Sequence, residues 1–510
     1  MLTLNFDDYR DKVLACWLGK NIGGTLGAPF EWKRQVNDVS FYTQDLGGEP
    51  LPNDDLDIQL LWLVALENHG VDIDAHTLAE YWCGFVTPHW SEYGTGKINM
   101  RSGLVPPLCG SWGNAFKHSC GAFIRSEIWA CIAPARPDLA THYAREDAIL
   151  DHGDGEGTYA EVFCAALESA AFVVDNLRTV IDIGLSYIPE NCGVAHAVRT
   201  AIACHEQEMD WQDARDEILR QHRGGSFMRG LDRTSPADRE KGFAEGQHGY
   251  DVPSNIAILV YGLLYGGDDF DRMICTTVNM GEDTDCTGAT AGSVYGILHG
   301  TAGIPQKWID PIGRGIKTIA INTGDMQGRV PHTVDELTDR TARVAQQVLL
   351  RGQHSPVILS HTTPTDLQEL KVEQLYSRDH GAALQASLTG PLFRFDWFEV
   401  FLDYGSDPII RTGEPRTLRI DVRTRMHIQG NLNYRWHLPE TWTVTPGPVG
   451  MVHVLPSRLG GGDSAVDFTF TAERIGTPTT RCILELTQDG RPDAMIVPVV
   501  FVAAAGNATA

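Results

Sequence analysis

Positive charge is what this sequence is short of: Lys and Arg together number 41 against 66 Asp and Glu, a formal net charge of -25. Binding to nucleic acid or to an anionic membrane rests on basic patches, and none is visible, so neither partner is expected. Also missing is any run of about 20 apolar residues, the length a membrane-spanning helix requires. Residues 1–10 carry Asp7 and Asp8 and lack the basic and apolar segments of a secretory signal. The 11 cysteines include no Cys-x-x-Cys pair. That argues against a zinc site or a disulfide framework and for buried free thiols in a reducing cytoplasm.

What is present is a 510-residue chain, 43% hydrophobic, with apolar content for a substantial core and length for more than one domain. Up to about residue 350 the apolar period is helical. Helices are expected over residues 7–23, 77–86, 159–175, 193–206, 211–222, 254–265 and 333–351, with another following Asp55. The Gly-, Pro- and Trp-rich stretch 88–126 reads as a long irregular loop, a length that is usually functional. Beyond Ser355 the grammar changes to alternating runs such as residues 392–400 and 466–470, separated by Gly, Pro and Asp turns. This is the pattern of an antiparallel β-sandwich. The expected organisation is a helical domain over residues 1–352 and a sandwich domain over residues 356–505.

Two stretches place acids at expected helix starts. Asp283 and Asp285 precede Gly288, Ala289, Ala291, Gly292 and Gly296, small residues at helix-compatible spacing; Asp54 and Asp55 precede the inward set Ile58, Leu61, Trp62 and Ala65. Helix N-termini favour carboxylates, and Asp and Thr are also ordinary N-cap residues. Two Asp and two Thr within residues 283–287 exceed one cap, and they offer the oxygen donors that a hard cation such as Mg²⁺ or Mn²⁺ takes. Two such starts, far apart in sequence, could meet across one site. Glu31 follows a glycine-rich stretch, Gly23 to Ala28, whose glycines permit backbone turns that other residues resist, and then Pro29 and Phe30. It is either held in a partly apolar setting that raises its pKa or is a surface residue after a turn. Ser111, Trp112, Gly113 and Asn114 suit a wall for a sugar or nucleotide, or else pack on the core. His152 stands in a Gly-rich turn, more available to a ligand than on an apolar helix face.

In order and in residues, the stretches Gly23 to Glu31, Asn53-Asp54-Asp55, Gly110 to Asn114 with Gly121, Ala122 and Arg125, Gly281 to Asp285, and Gly303 to Trp308 resemble the ADP-ribosylglycohydrolase family. The similarity covers residues 7 to about 350. It implies an all-α orthogonal helical bundle holding two divalent cations, usually Mg²⁺, with Mn²⁺ as an alternative. It also implies carboxylate ligands from Asp54, Asp55, Asp283 and Asp285, with Asn53 where Thr is usual. Glu31 is implied near the scissile bond, with Asp55 and Asp283 in the catalytic set. Ser111, Trp112, Gly113, Asn114 and His152 are implied around the substrate. Two departures stand out: Cys286 occupies a position where Thr is common, so that Thr287 is expected to replace it at the metal, and Gly24 stands where Asp is frequent.

The implied activity is metal-assisted hydrolysis of an N- or O-glycosidic bond in an ADP-ribosyl or ribosyl-like substrate. The alternatives are a glycosidase for a small carbohydrate or nucleoside, and a non-catalytic ligand-binding relative. A small-molecule or ADP-ribosylated substrate is the expected partner, and a homo-oligomer is compatible with the sequence. Residues 438–446 look like the strand-and-turn motif of sandwich domains appended to glycosidases.

Overall fold

The first helix, Phe6–Gly27, is built to let another helix come close. In the computed structural model, which describes residues 2–225, 233–351, 357–424, 429–455, 464–491 and 493–505, it lies antiparallel to the Thr284–His299 helix. A Cβ added at Gly19, Gly23 or Gly27 would fall 2.0, 2.0 and 2.1 Å from the carbonyl oxygens of Gly292, Gly288 and Thr284. Only residues without a side chain allow backbones this near. The Thr284 hydroxyl closes the end of the seam by donating to the Gly27 carbonyl at 2.7 Å. The turn expected over Gly23 to Gly27 is therefore helix, and the chain leaves it through a short 3₁₀ turn, Ala28–Phe30. Burial along the seam offsets the roughly 1 kcal/mol by which each Gly disfavours a helix.

Helices also form at Asp54–His69, Ala75–Phe85, Glu156–Ala171, Gly193–Glu206, Trp211–His222, Val252–Gly266 and Val334–Arg351. The irregular stretch expected over 88–126 instead holds a helix, Ser91–Arg101. Its buried side is made of Glu92, Tyr93, Gly94, Gly96 and Lys97, so no apolar period announces it. No helix of the described residues is long and apolar enough to cross a membrane.

The chain forms two compact units: residues 1–97 with 113–384, and residues 98–112 with 385–510. The expected boundary at 352–356 lies outside the described residues. After it, β2 (Val357–Ser360) pairs in parallel with β1 (Leu2–Asn5), which ties this segment to the first unit.

The second unit contains β3 (Leu392–Arg394), β4 (Phe398–Asp403), β5 (Ile409–Ile410), β6 (Arg416–Thr424), β7 (Gly430–His437), β8 (Trp442–Thr445), β9 (Val449–Val454), β10 (Ala465–Ala472), β11 (Thr479–Thr487) and β12 (Ala494–Ala503). They make two five-stranded sheets, β3-β4-β6-β10-β8 and β5-β12-β11-β7-β9. Pairing is antiparallel except between β12 and β5. The sheets share one core: the Trp436 ring of β7 meets Phe468 and Phe470 of β10 at centroid distances of 5.2 and 4.9 Å. This is the expected sandwich. Leu104, Leu108 and Cys109 complete its core, with Trp112 packed against it.

Candidate metal centre and cleft

The close helix seam brings the start of the Thr284–His299 helix beside the chain that leaves the first helix at Glu31. One carboxylate oxygen from each of Glu31, Asp283 and Asp285 lies within 4.8 Å of the others, and Asp55, Asp285 and the Cys286 thiol form a second group of the same span. Glu31, Asp54, Asp283 and Asp285 line a cleft of about 630 Å³. The two acidic helix starts thus meet in one place.

Asp283 sits at the N-cap position of its helix, yet its side chain makes no capping hydrogen bond. Its backbone N–H instead donates to Asn255 Oδ1 at 3.1 Å. Buried oxygens Oδ2 of Asp55, Oδ1 of Asp283 and Oδ1 of Asp285 have no hydrogen-bond partner. Buried acceptors are almost always satisfied, so these oxygens are available to a ligand. Hard, anionic oxygen donors converging from two helix starts fit a divalent cation such as Mg²⁺ or Mn²⁺.

Burial and mutual repulsion raise the affinity of these groups for protons. Burial, then Asp54 and Asp55, pushes Glu31 up to about 8. Asp55, Asp283 and Asp285 stand well above the ordinary carboxylate range, mainly through burial; the charge of Asp285 adds to the shift of Asp55 and Asp283, that of Glu31 to Asp283 and Asp285, and Lys20 works against it at Asp55. Asp54 is also raised by burial, although the Tyr93 hydroxyl, which donates to its Oδ2 at 3.0 Å, works against the shift. Beneath Asp55 lies buried Lys20, whose Nζ is 3.9 Å from Asp55 Oδ2 and 2.7 Å from Glu127 Oε1.

Other residues expected at the site are engaged elsewhere. Asn53 caps its helix, with Oδ1 accepting from the Asp55 N–H at 2.8 Å. The Thr287 hydroxyl donates to the Asp283 carbonyl at 3.0 Å, one turn back in its own helix. Cys286 is the residue that faces the acids and lines the cleft. Successive helical residues differ by about 100° in direction, so only one of the two can look into the site. Ser111 and Trp112 belong to the second unit; the Ser111 hydroxyl donates to the Pro107 carbonyl at 3.1 Å. Gly113 takes φ +60° in a turn with no atoms near its Cβ direction. Asn114 donates to the Asp151 carbonyl at 2.5 Å. His152 is fully buried, with Nδ1 2.8 Å from Asp151 Oδ1 and Nε2 3.3 Å from the Ser119 hydroxyl. Neither Asn114 nor His152 lines the cleft.

In their place the wall carries Glu92, Asp251 and Cys120, together with Trp32, Trp90 and Phe116. Both new acids repeat the design of the metal group. Glu92 is in the first turn of the Ser91–Arg101 helix, and Asp251 stands at the N-cap position of Val252–Gly266 without capping it. Asp251 in front of Val252-Pro253 carries the sequence signal of a helix start, which could have pointed to it.

A comparison with curated proteins finds no match. A family model described as ADP-ribosylglycohydrolase matches residues 5–347, the span that carries Glu31, Asp54, Asp55, Asp283 and Asp285, and the chain belongs to that family.

Proposed function

We propose that the protein is a divalent-metal-dependent glycohydrolase that cleaves an N- or O-glycosidic bond at the anomeric carbon of an ADP-ribosyl or ribosyl-like substrate. The observation that carries this reading is the convergence of unpartnered, buried carboxylate oxygens from two helix starts in one cleft. Asp54, Asp55, Asp283 and Asp285 would hold the cation, Mg²⁺ or Mn²⁺, with the Cys286 thiol beside them. When bound, such a cation acts as a Lewis acid toward sugar hydroxyls and water.

The chain's own proton carrier is Glu31. It stands within 4.8 Å of the Asp283 and Asp285 carboxylates and lines the cleft, where it can exchange a proton with a water held beside the cation. It accepts a proton from water as the water oxygen bonds to the anomeric carbon. Glu31 then gives that proton to the leaving oxygen or nitrogen as the glycosidic bond breaks, which returns the carboxylate to its starting state and consumes one water. Tyr93 fixes the orientation of Asp54 through its hydroxyl, and the glycine seam fixes the distance between Glu31 and Asp285. The sandwich unit is read as an accessory module.

The test is an assay of metal-stripped protein, with and without added Mg²⁺, on ADP-ribosyl-arginine, ADP-ribosyl-serine, O-acetyl-ADP-ribose and simple ribosides. Sugar release that depends on metal supports the reading. Turnover indifferent to chelation removes the metal from it, and ligand binding without turnover makes the protein a binding relative.

A further inference from the structure

In the second unit, β9 ends the sheet β5-β12-β11-β7-β9 and among the described residues pairs with β7 alone. The Trp436 N–H donates to the Pro448 carbonyl at 2.7 Å, which fixes the phase of the ladder. Residues of an antiparallel strand alternate between bonding to the neighbour and turning away from it, so Gly450, Val452 and Val454 bond to β7. Val449, Met451 and His453 then direct their N–H and C=O groups outward, and among the described residues those groups have no partner. Their side chains stand on the solvent face: Val449 is 55% and Met451 58% exposed, and His453 is exposed as well. A free edge is a template for pairing, and folded proteins blunt it with charge, with Pro or by keeping it short. The other terminal strands of the sandwich are short: β3 has three residues and ends in Arg394, β5 has two, and β8 has four. β9 runs for six residues, Val-Gly-Met-Val-His-Val, with no acidic or basic side chain other than His453.

We propose that β9 is a self-association edge: two copies of the chain pair this strand antiparallel about a two-fold axis through Met451, which joins two five-stranded sheets into one of ten. In that register Met451 lies opposite the partner's Met451, and Val449 lies opposite the partner's His453. Each such pair exchanges two N–H···O=C bonds, so the three outward residues of each strand satisfy every donor and acceptor. A slip of two residues leaves one of the three unpaired on each strand, and a slip of one sets outward groups against inward ones. The strand is thus complementary to itself in one register, as a closed two-fold contact requires. Charge favours the same occupant. Two chains of net charge -25 repel one another over most of their surface, and this strip lets them meet without opposing carboxylates. On the exposed face the two Met451 side chains touch and each Val449 covers a His453 ring, contacts that add to the main-chain bonds. The strip is smaller than the roughly 800 Å² per partner of a standard interface, so the dimer is weak, with Kd on the order of 10 μM.

The experiment is sedimentation equilibrium of the full-length protein at physiological ionic strength, from about 1 to about 200 μM, a range that brackets this Kd. A reversible monomer–dimer equilibrium is expected. Met451→Lys sets two like charges opposite each other at the axis and should weaken the dimer roughly tenfold or more. Met451→Pro removes an outward N–H and no bond to β7, the placement an edge strand tolerates, and should weaken it as much. Tm at the lowest concentration, where wild type is monomeric, should be unchanged in Met451→Lys, which separates lost pairing from lost folding; if Met451→Pro does not fold, Met451→Lys decides alone. Met451→Cys reads the register. Mild oxidation with diamide should link it into a covalent dimer, because opposed Cα atoms stand about 5.5 Å apart, whereas His453→Cys faces Val449 of the partner subunit and should not link. A protein monomeric throughout the range overturns the proposal, and so does a dimer that Met451→Lys leaves intact. Linkage through His453→Cys in preference to Met451→Cys overturns it too, as do open-ended polymers, because a two-fold contact closes on itself.

Discussion

The Cys286 Sγ lies 3.7 Å from Asp55 Oδ1, which makes a thiol the neighbour of the carboxylate group where a hydroxyl was expected. In the metal-free cleft burial, followed by Asp283, Asp55 and Asp285, raises this thiol well above its ordinary pKa, so that it is protonated there. A soft ion able to displace the proton would gain a sulfur ligand. Cys286→Ser should therefore weaken Zn²⁺ relative to Mg²⁺ by roughly tenfold or more, measured by competitive metal titration. Thr287→Val should leave that ratio unchanged and cost about 1 kcal/mol of stability for the lost hydroxyl bond. The reverse pattern would put Thr287 at the metal.

Asp285→Asn should abolish metal-dependent turnover while the metal-free protein keeps or gains stability. The substitution retains shape and removes one charge from a buried group of mutually repelling acids. Asp54→Ala should also be inactive but less stable, because it strands the buried Tyr93 hydroxyl, at about 1–3 kcal/mol. Thermal unfolding in excess chelator separates the two variants. An Asp285→Asn protein that unfolds much earlier than wild type would contradict the repulsion argument.

The metal-free protein should lose stability as pH rises from about 4.5 to about 8. Glu31 and Asp251 are pushed up to about 8 and Asp57 to about 7, all mainly by burial. In this window the folded state holds protons that the unfolded state has already released, so stability falls with pH. A cation in the cleft opposes protonation of its acids Glu31 and Asp251 but not of Asp57, which lies outside it, and Mg²⁺ affinity should rise over the same range. Tm measured at pH 5.5 and 8.0, with chelator and with saturating Mg²⁺, checks both signs. A metal-free Tm that climbs with pH would refute the assignment of these groups.

Much of the centre was legible because its chemistry is local: Asp54, Asp55, Asp283 and Asp285 announce themselves as acids before helices. What the sequence hid is direction. Cys286 and Thr287 are adjacent, and only the rotation of the helix decides which one faces Asp55. His152 and Asn114 have residue types suited to a ligand, but their polar atoms turn toward Asp151. Glu92 was concealed because the buried side of its helix is polar and glycine-containing. Gly24 and Asn53, noted separately as departures, prove to share one space: a Cβ at Gly24 would lie 2.2 Å from Asn53 Nδ2. The larger amide at one position fits because the other has no side chain.

The glycines of the first helix were read as turn formers, and their role as a contact surface yields the last prediction. A methyl group at Gly23 would sit 2.0 Å from the Gly288 carbonyl oxygen and 2.5 Å from the Ala289 nitrogen. Both are backbone atoms of a buried helix, so relief requires the two helices to separate. Gly23→Ala should cost at least about 3 kcal/mol, the upper end of overpacking. Gly84→Ala is the control: the residue lies near the exposed end of the Ala75–Phe85 helix with nothing within 4 Å of its Cβ direction. That change should be neutral or stabilising by up to about 1 kcal/mol. Because the seam also sets how far Glu31 stands from Asp285, any folded Gly23→Ala protein should bind Mg²⁺ more weakly than wild type at a temperature where both are native. Urea unfolding and metal titration on the pair decide the matter; equal stability and equal affinity would mean that the seam neither limits the packing nor positions the site.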